Sequence, residues 1–112
     1  MKYFKKLIFF HFLMSFAFAE FEKDFQLKLI LAEPGDTITL DAGFFSILGT
    51  LSMEGKQNIV IKGSGISSTI LNFSNQVEGA QGLSITNCNN IILEDFTVEE
   101  AKGDGIKCQY VN

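Results

Sequence analysis

The sequence predicts an all-β chain wound as a solenoid of short parallel strands behind one short helix. Three observations predict it. From Thr37 onward, apolar runs of three to five residues recur between Gly, Asn, Asp and Ser, and none is long enough for a helix of three turns. A segment beginning at Leu51 repeats, without a gap, from Leu83. Helical spacing occurs in only one mature stretch, Phe21 to Ala32.

The chain has 112 residues and a net charge of −4, so it holds one domain at most. At 46% hydrophobic residues it is too apolar for a disordered chain. Those residues are unevenly placed. Six of the 12 Phe lie before Ala19, and all 13 acids lie from Glu20 onward. Lys2, Lys5 and Lys6 precede an apolar run from Leu7 to Phe16, and Ala17-Phe18-Ala19 is a small-x-small cleavage signal. Residues 1–19 therefore read as a secretory signal peptide, too short for a comfortable membrane span. An uncleaved N-terminal anchor is the alternative. The expected location is periplasmic or secreted, with no membrane association after cleavage.

Removal of the leader leaves 93 residues with six Lys, 13 acids and no Arg, a charge of −7. Such a surface excludes nucleic acid as a natural partner and offers anionic lipid no polybasic attraction.

Residues 20–36 read as an N-terminal cap. Phe21, Phe25, Lys28-Leu29 and Ala32 recur at helical spacing, and Pro34-Gly35-Asp36 ends the helix in a turn. Residues 37–112 carry the strands. Short β-type runs of this density fit a solenoid, a sandwich or a barrel. The repeat decides. Leu51 to Lys62 lies over Leu83 to Glu94 at an offset of 32, and Gly82 to Ile85 lies over Gly105 to Cys108 at an offset of 23. A turn of about 23 residues follows. The nine extra residues of the first turn are placed between Gly63 and Gly82. Alternation puts Leu51, Met53, Ile59, Ile61, Leu83, Ile85, Ile91, Leu93, Ile106 and Cys108 inside. Asn58 and Asn90 stack at one corner, where their amides can bond to each other.

These residues carry a resemblance. Glu-Pro-Gly-Asp-Thr-Ile at 33–38, Gly-Thr-Leu-Ser at 49–52 and Asn-Ile-Val-Ile-Lys-Gly-Ser-Gly at 58–65 form its first part. Thr-Ile-Leu-Asn-Phe at 69–73, Asn-Ile-Ile-Leu-Glu-Asp at 90–95 and Gly-Asp-Gly-Ile-Lys at 103–107 complete it. Together they resemble the N-terminal part of exported right-handed parallel β-helix repeat proteins of the pectin-lyase-like superfamily. The resemblance implies a right-handed parallel β-helix with a capping helix. It leaves open a polysaccharide lyase, hydrolase or epimerase and a non-catalytic repeat protein, because the fold hosts all of these. Polysaccharide is the partner it implies.

Asn112 falls where a third Asn-led strand is expected to begin, and no C-terminal cap follows it. A longer natural protein is expected, with the working residues mostly past Asn112; the alternative is a short chain that oligomerises over its open end. The isolated fragment is expected to self-associate through inner positions such as Ile106 and Cys108.

Candidate chemistry is sparse. Glu94, Asp95, Glu99, Glu100 and Asp104 form a sequence cluster of acids. Asp95, Glu99 and Asp104 are the candidate ligand-binding residues, for a sugar or for Ca²⁺, which takes carboxylate oxygens. Against this, the acids also read as a solvated turn face that keeps edges from pairing. No other cofactor is implied. Lys107 beside Asp104 is a conceivable proton-transfer pair, or simply an exposed lysine. Gly103-Asp104-Gly105 reads as a turn whose glycines supply positive φ. Gly63-Ser64-Gly65 lacks the Lys and the following helix of a phosphate loop. The one His, His11, belongs to the leader, so the mature chain has no imidazole base and no Ser-His-Asp triad. No catalytic residues are assigned. Asn72-Phe73-Ser74 has the form of a glycosylation sequon but overlaps a strand. Export permits a disulfide, yet the two cysteines are three residues out of register, about 10 Å along a strand. Two free thiols are expected, Cys108 buried and Cys88 exposed.

Overall fold

A computed structural model describes the backbone from residue 2 to residue 112 and the side chains from residue 17 onward. The basic residues and apolar run expected of a leader lie outside the described side chains. The described residues form one helix followed by nine strands. The helix α1 spans Lys2–Leu31. The strands are β1 (Thr37–Thr39), β2 (Gly43–Ser46), β3 (Leu51–Glu54), β4 (Gln57–Lys62), β5 (Thr69–Asn72), β6 (Leu83–Thr86), β7 (Asn89–Glu94), β8 (Thr97–Glu99) and β9 (Ile106–Gln109).

Each of β1 to β6 pairs in parallel with the third strand after it. This gives three three-stranded sheets, ordered β1-β4-β7, β2-β5-β8 and β3-β6-β9. The expected register holds: Leu51 pairs with Leu83, Ile59 with Ile91 and Ile85 with Cys108. The nine extra residues of one passage lie between Gly63 and Gly82, as expected, in two blocks on either side of β5. The offset is 32 at Lys62↔Glu94, 27 at Ile70↔Thr97 and Asn72↔Glu99, and 23 at Leu83↔Ile106. Five extra residues therefore precede β5 and four follow it.

Alternation along the strands sends one set of residues to a shared core. Leu51, Met53, Ile59, Ile61, Leu71, Leu83 and Ile85, drawn from all three sheets, are sealed from water. Each such side chain contributes about 1.5–3 kcal/mol relative to exposure. The inward positions grow more accessible along the chain: Ile91 and Leu93 are half-buried, whereas Ile106 and Cys108 are exposed. The last strand of each sheet has one neighbouring strand among the described residues, so its inner face is only half covered.

This gradient corrects the expectation for the thiols. Both cysteines are free, but Cys88 is the buried one and Cys108 the exposed one. Cys108 holds its expected register opposite Ile85. Its exposure follows from lying on the last strand. Cys88 leaves β6 at a corner that turns its sulfur inward, where Lys56 N–H approaches at 3.4 Å.

Two corners repeat left-handed backbone at the same place on each of three successive passages. Gly55, Asn87 and Tyr110 have φ of 69°, 53° and 55°, and Gly35, Asn58 and Asn90 have φ of 96°, 58° and 57°. At the second corner Asn90 Nδ2 donates to Asn58 Oδ1 at 2.8 Å, the amide stacking expected from the repeat. Gly103 and Gly105 are not among the positive-φ residues, so the reason given for them is corrected. Close approach explains other glycines better: a Cβ on Gly63 would collide with the carbonyl oxygen of Asp95.

The helix covers the opposite end of the core. Phe25, Leu29 and Ala32 are buried, and the Phe21 ring stacks on Phe45 at 3.6 Å. These are the apolar residues of the helically spaced set; Lys28, its one charged member, is exposed. Polar side chains complete the joint. Glu22 Oε1 accepts the Leu48 N–H at 2.7 Å, and the Gln26 amide pairs both ways with the Ser52 backbone. Among the described residues, no helix is long and apolar enough to cross a membrane.

Candidate functional site: a groove beside Phe44

The sheet β2-β5-β8 turns Phe45, Leu71 and Val98 toward the core. Its other face carries two rows. One runs Phe44–Ile70–Thr97 and the other Ser46–Asn72–Glu99. Parallel stacking holds members of a row about 4.8 Å apart, so an apolar ladder lies next to a polar one.

Two separate sets of hydrogen bonds hold the polar row. Asn72 Nδ2 donates to Glu99 Oε2 at 2.9 Å. Asn72 Oδ1 accepts from the Ser74 N–H at 3.0 Å and from the Ser74 hydroxyl at 2.6 Å. Asn75 Nδ2 donates to Ser46 Oγ at 3.3 Å. These bonds fix the side chains before any ligand arrives. They also occupy Asn72, which is 6% exposed, so the sequon asparagine is held inside the polar row.

Between this face and α1 lies a groove of about 350 Å³, bordered by Glu22, Phe44, Leu48, Asn72 and Asn75. Its helix-side wall is Phe18 and Ala19, the last two residues of the expected leader, so cleavage after Ala19 would open the groove on that side and leave the sheet face and Glu22. Phe44 is 54% exposed and Leu48 45%. A half-open ring beside amide, hydroxyl and carboxylate groups can stack on an apolar ligand face while its edges take hydrogen bonds. A second groove of about 320 Å³ flanks the helix near Gln26 and Lys56. Two of its polar side chains already bond to backbone, Gln26 to Ser52 and Lys56 to Ile30 and Ala32.

The sequence-named acids do not converge. Asp95 is exposed at a corner with φ 62°, and its carbonyl accepts the Gly65 N–H. Asp104 is exposed before β9, and its carbonyl accepts the Gly82 N–H at 3.0 Å. Glu99 alone reaches the polar row, through its bond from Asn72. No three His, Cys, Asp or Glu among the described residues stand together as a metal cage. Lys107 forms no ion pair with Asp104; among the described residues the ion pair is Lys28–Asp24, at 3.0 Å.

Phe44, Asn75 and Glu22 were not singled out from sequence. The signal for Phe44 was present: Gly43-Phe44-Phe45-Ser46 lies over Thr69-Ile70-Leu71-Asn72 at an offset of 26. No residue matches in that overlay, so only the apolar pattern marks it. Glu22 and Asn75 reach the groove from the helix and from a turn, where no repeat points to them.

No protein-family model, curated protein or solved structure matches this chain.

Proposed function

We propose that the chain is part of an exported right-handed parallel β-helix of the pectin-lyase-like kind and binds polysaccharide on the outer face of β2-β5-β8. The winding is supported by the constant parallel pairing of every third strand, carried through all three sheets. The observation that carries the binding reading is the half-exposed Phe44 ring beside the row Ser46–Asn72–Glu99, in which Asn72 and Glu99 are hydrogen-bonded. A sugar ring presents C–H groups to an aromatic face and hydroxyls to amides and carboxylates. The net charge of −7 on residues 20–112 disfavours polyanions, so a neutral polysaccharide is the better fit.

The test is electrophoresis of the native chain through gels containing single neutral or acidic polysaccharides. Retardation by a neutral glycan, lost in Phe44→Ala with the far-ultraviolet spectrum unchanged, supports the reading. Uniform mobility across the panel favours a non-catalytic structural solenoid at the cell envelope. One observation favours that second reading: the outer rows Ser52–Ser84–Lys107 and Glu54–Thr86–Gln109 contain no aromatic residue.

A further inference from the structure

Resting on the polysaccharide reading above, we propose that the groove beside Phe44 prefers hexoses that bear an N-acetyl group. Most polar groups of the groove are already engaged. One oxygen of Glu22 accepts the Leu48 N–H, and Asn72 bonds to Ser74 and Glu99. Asn75 is exposed and gives one N–H to Ser46 Oγ at 3.3 Å. A side-chain amide has two N–H donors and a carbonyl acceptor. Asn75 therefore keeps an N–H and its carbonyl oxygen open among the described residues, and Ser46 keeps its O–H to donate. Phe44 and Leu48, both half-exposed, line the same groove.

Backbone bonds hold these groups in place. Val77 N–H donates to the Leu48 carbonyl at 2.8 Å, which ties the turn carrying Asn75 to Leu48. Between Asn75 and Val77, Gln76 is buried, and its amide donates to the Gln81 and Glu78 carbonyls at 2.8 and 3.0 Å. An open amide thus stands at a fixed place beside two apolar side chains, which lowers the ordering cost of binding. None of these residues lies within 1–19, so cleavage of the leader leaves them all. An acetamido group matches the set. Its N–H can donate to the Asn75 carbonyl, its C=O can accept from the Asn75 N–H or the Ser46 O–H, and its methyl can rest on Phe44 and Leu48. A hydroxyl at the same carbon offers hydrogen bonds without the methyl. A protonated amine offers donors alone and would shed its water beside two apolar side chains. A carboxylate-bearing sugar would face Glu22 and no lysine among the described residues that line the groove.

The test is calorimetric titration of the chain, as the cell matures it, with three soluble oligosaccharides of equal length and linkage. They carry acetamido, hydroxyl or ammonium at the second carbon of every ring. Burial of one methyl is worth about fourfold in affinity, and one further satisfied hydrogen bond about two- to tenfold. The acetamido form should therefore bind about tenfold more tightly than the hydroxyl form, and more tightly than the ammonium form at physiological salt. Asn75→Ala and Leu48→Ala should each lower the acetamido-to-hydroxyl ratio by about threefold. General loosening of the groove would weaken all three sugars alike and leave that ratio unmoved. Glu33→Gln, exposed past the end of α1 and outside the groove, should not change the ratio. Equal binding of the acetamido and hydroxyl forms, tighter binding of the ammonium form, or an unchanged ratio in both groove variants overturns the preference and leaves the polysaccharide reading standing. Binding of none of the three also overturns the preference, and the gel panel then decides separately whether the polysaccharide reading falls.

Discussion

The side-chain amide of Gln26 meets the backbone of Ser52 as a neighbouring strand would, donating to its carbonyl and accepting from its N–H at 2.9 Å each. β3 is the first strand of its sheet, so its outer edge has no strand partner. A helix side chain supplies one instead, and Glu22 does the same for the Leu48 N–H. Gln26→Ala should lower stability by about 1–2 kcal/mol, the loss of two partly solvated hydrogen bonds. Urea unfolding should show a lower midpoint at unchanged slope. An unchanged midpoint would mean that water replaces the amide without cost.

Lys56 closes the same joint from the other side. Its Nζ donates to the Ile30 and Ala32 carbonyls at 2.6 and 3.0 Å, where α1 ends. A cation there faces the negative end of the helix dipole. Lys56→Met should cost about 0.3–1 kcal/mol at low salt, and less as salt rises. Hydrogen exchange should quicken at the end of α1 while β6 stays protected. Uniform quickening throughout the chain would contradict a local cap.

Thiol chemistry separates the two cysteines. A maleimide should modify Cys108 in the native chain and Cys88 only on unfolding, because Cys88 is 2% exposed. Peptide mapping after a short pulse reads this directly. Prompt native labelling of Cys88 would show that the corner after β6 opens easily.

The left-handed corners give a signed contrast. Asn90→Ala loses the bond to Asn58 and forces a Cβ-bearing residue without local compensation into φ 57°, so it should cost about 1–2 kcal/mol. Asn90→Gly keeps the backbone and should cost less. At the neighbouring corner Tyr110 sits at φ 55°, where Gly55 and Asn87 stand on the preceding passages. Tyr110→Asn should therefore stabilise the chain, by up to about 1 kcal/mol. Thermal melts of the three variants should rank Tyr110→Asn above wild type, then Asn90→Gly, then Asn90→Ala.

Strand positions and register were legible because each inner residue recurs at nearly the same place on each passage. Leu51 over Leu83 and Ile85 over Cys108 needed only the repeat. What the pattern could not carry was the burial of each position. Cys108 has the inward register of Ile85 yet is exposed, because burial depends on what lies above a strand as well as which way its side chain points. Cys88 lies in a turn, where alternation stops and backbone torsions decide direction. Glu99 was visible as one of five acids, but its partner Asn72 is 27 residues away and became apparent only with the offset of β5 on β8. The groove joins a helix, a sheet face and a turn, and no single periodicity links all three.

The pairing of every third strand also determines how the molecule would come apart under tension. A strand's ladder partners lie one passage away along the chain, so no bond in the sheets ties the first passage directly to the last. Pulled from Asn112, the chain should peel from β9 backward, a passage at the 23-residue offset releasing a contour of about 80 Å and the one at the 32-residue offset about 110 Å. The joint between α1 and β3 would feel the load last, which makes the helix end the molecule's mechanical anchor.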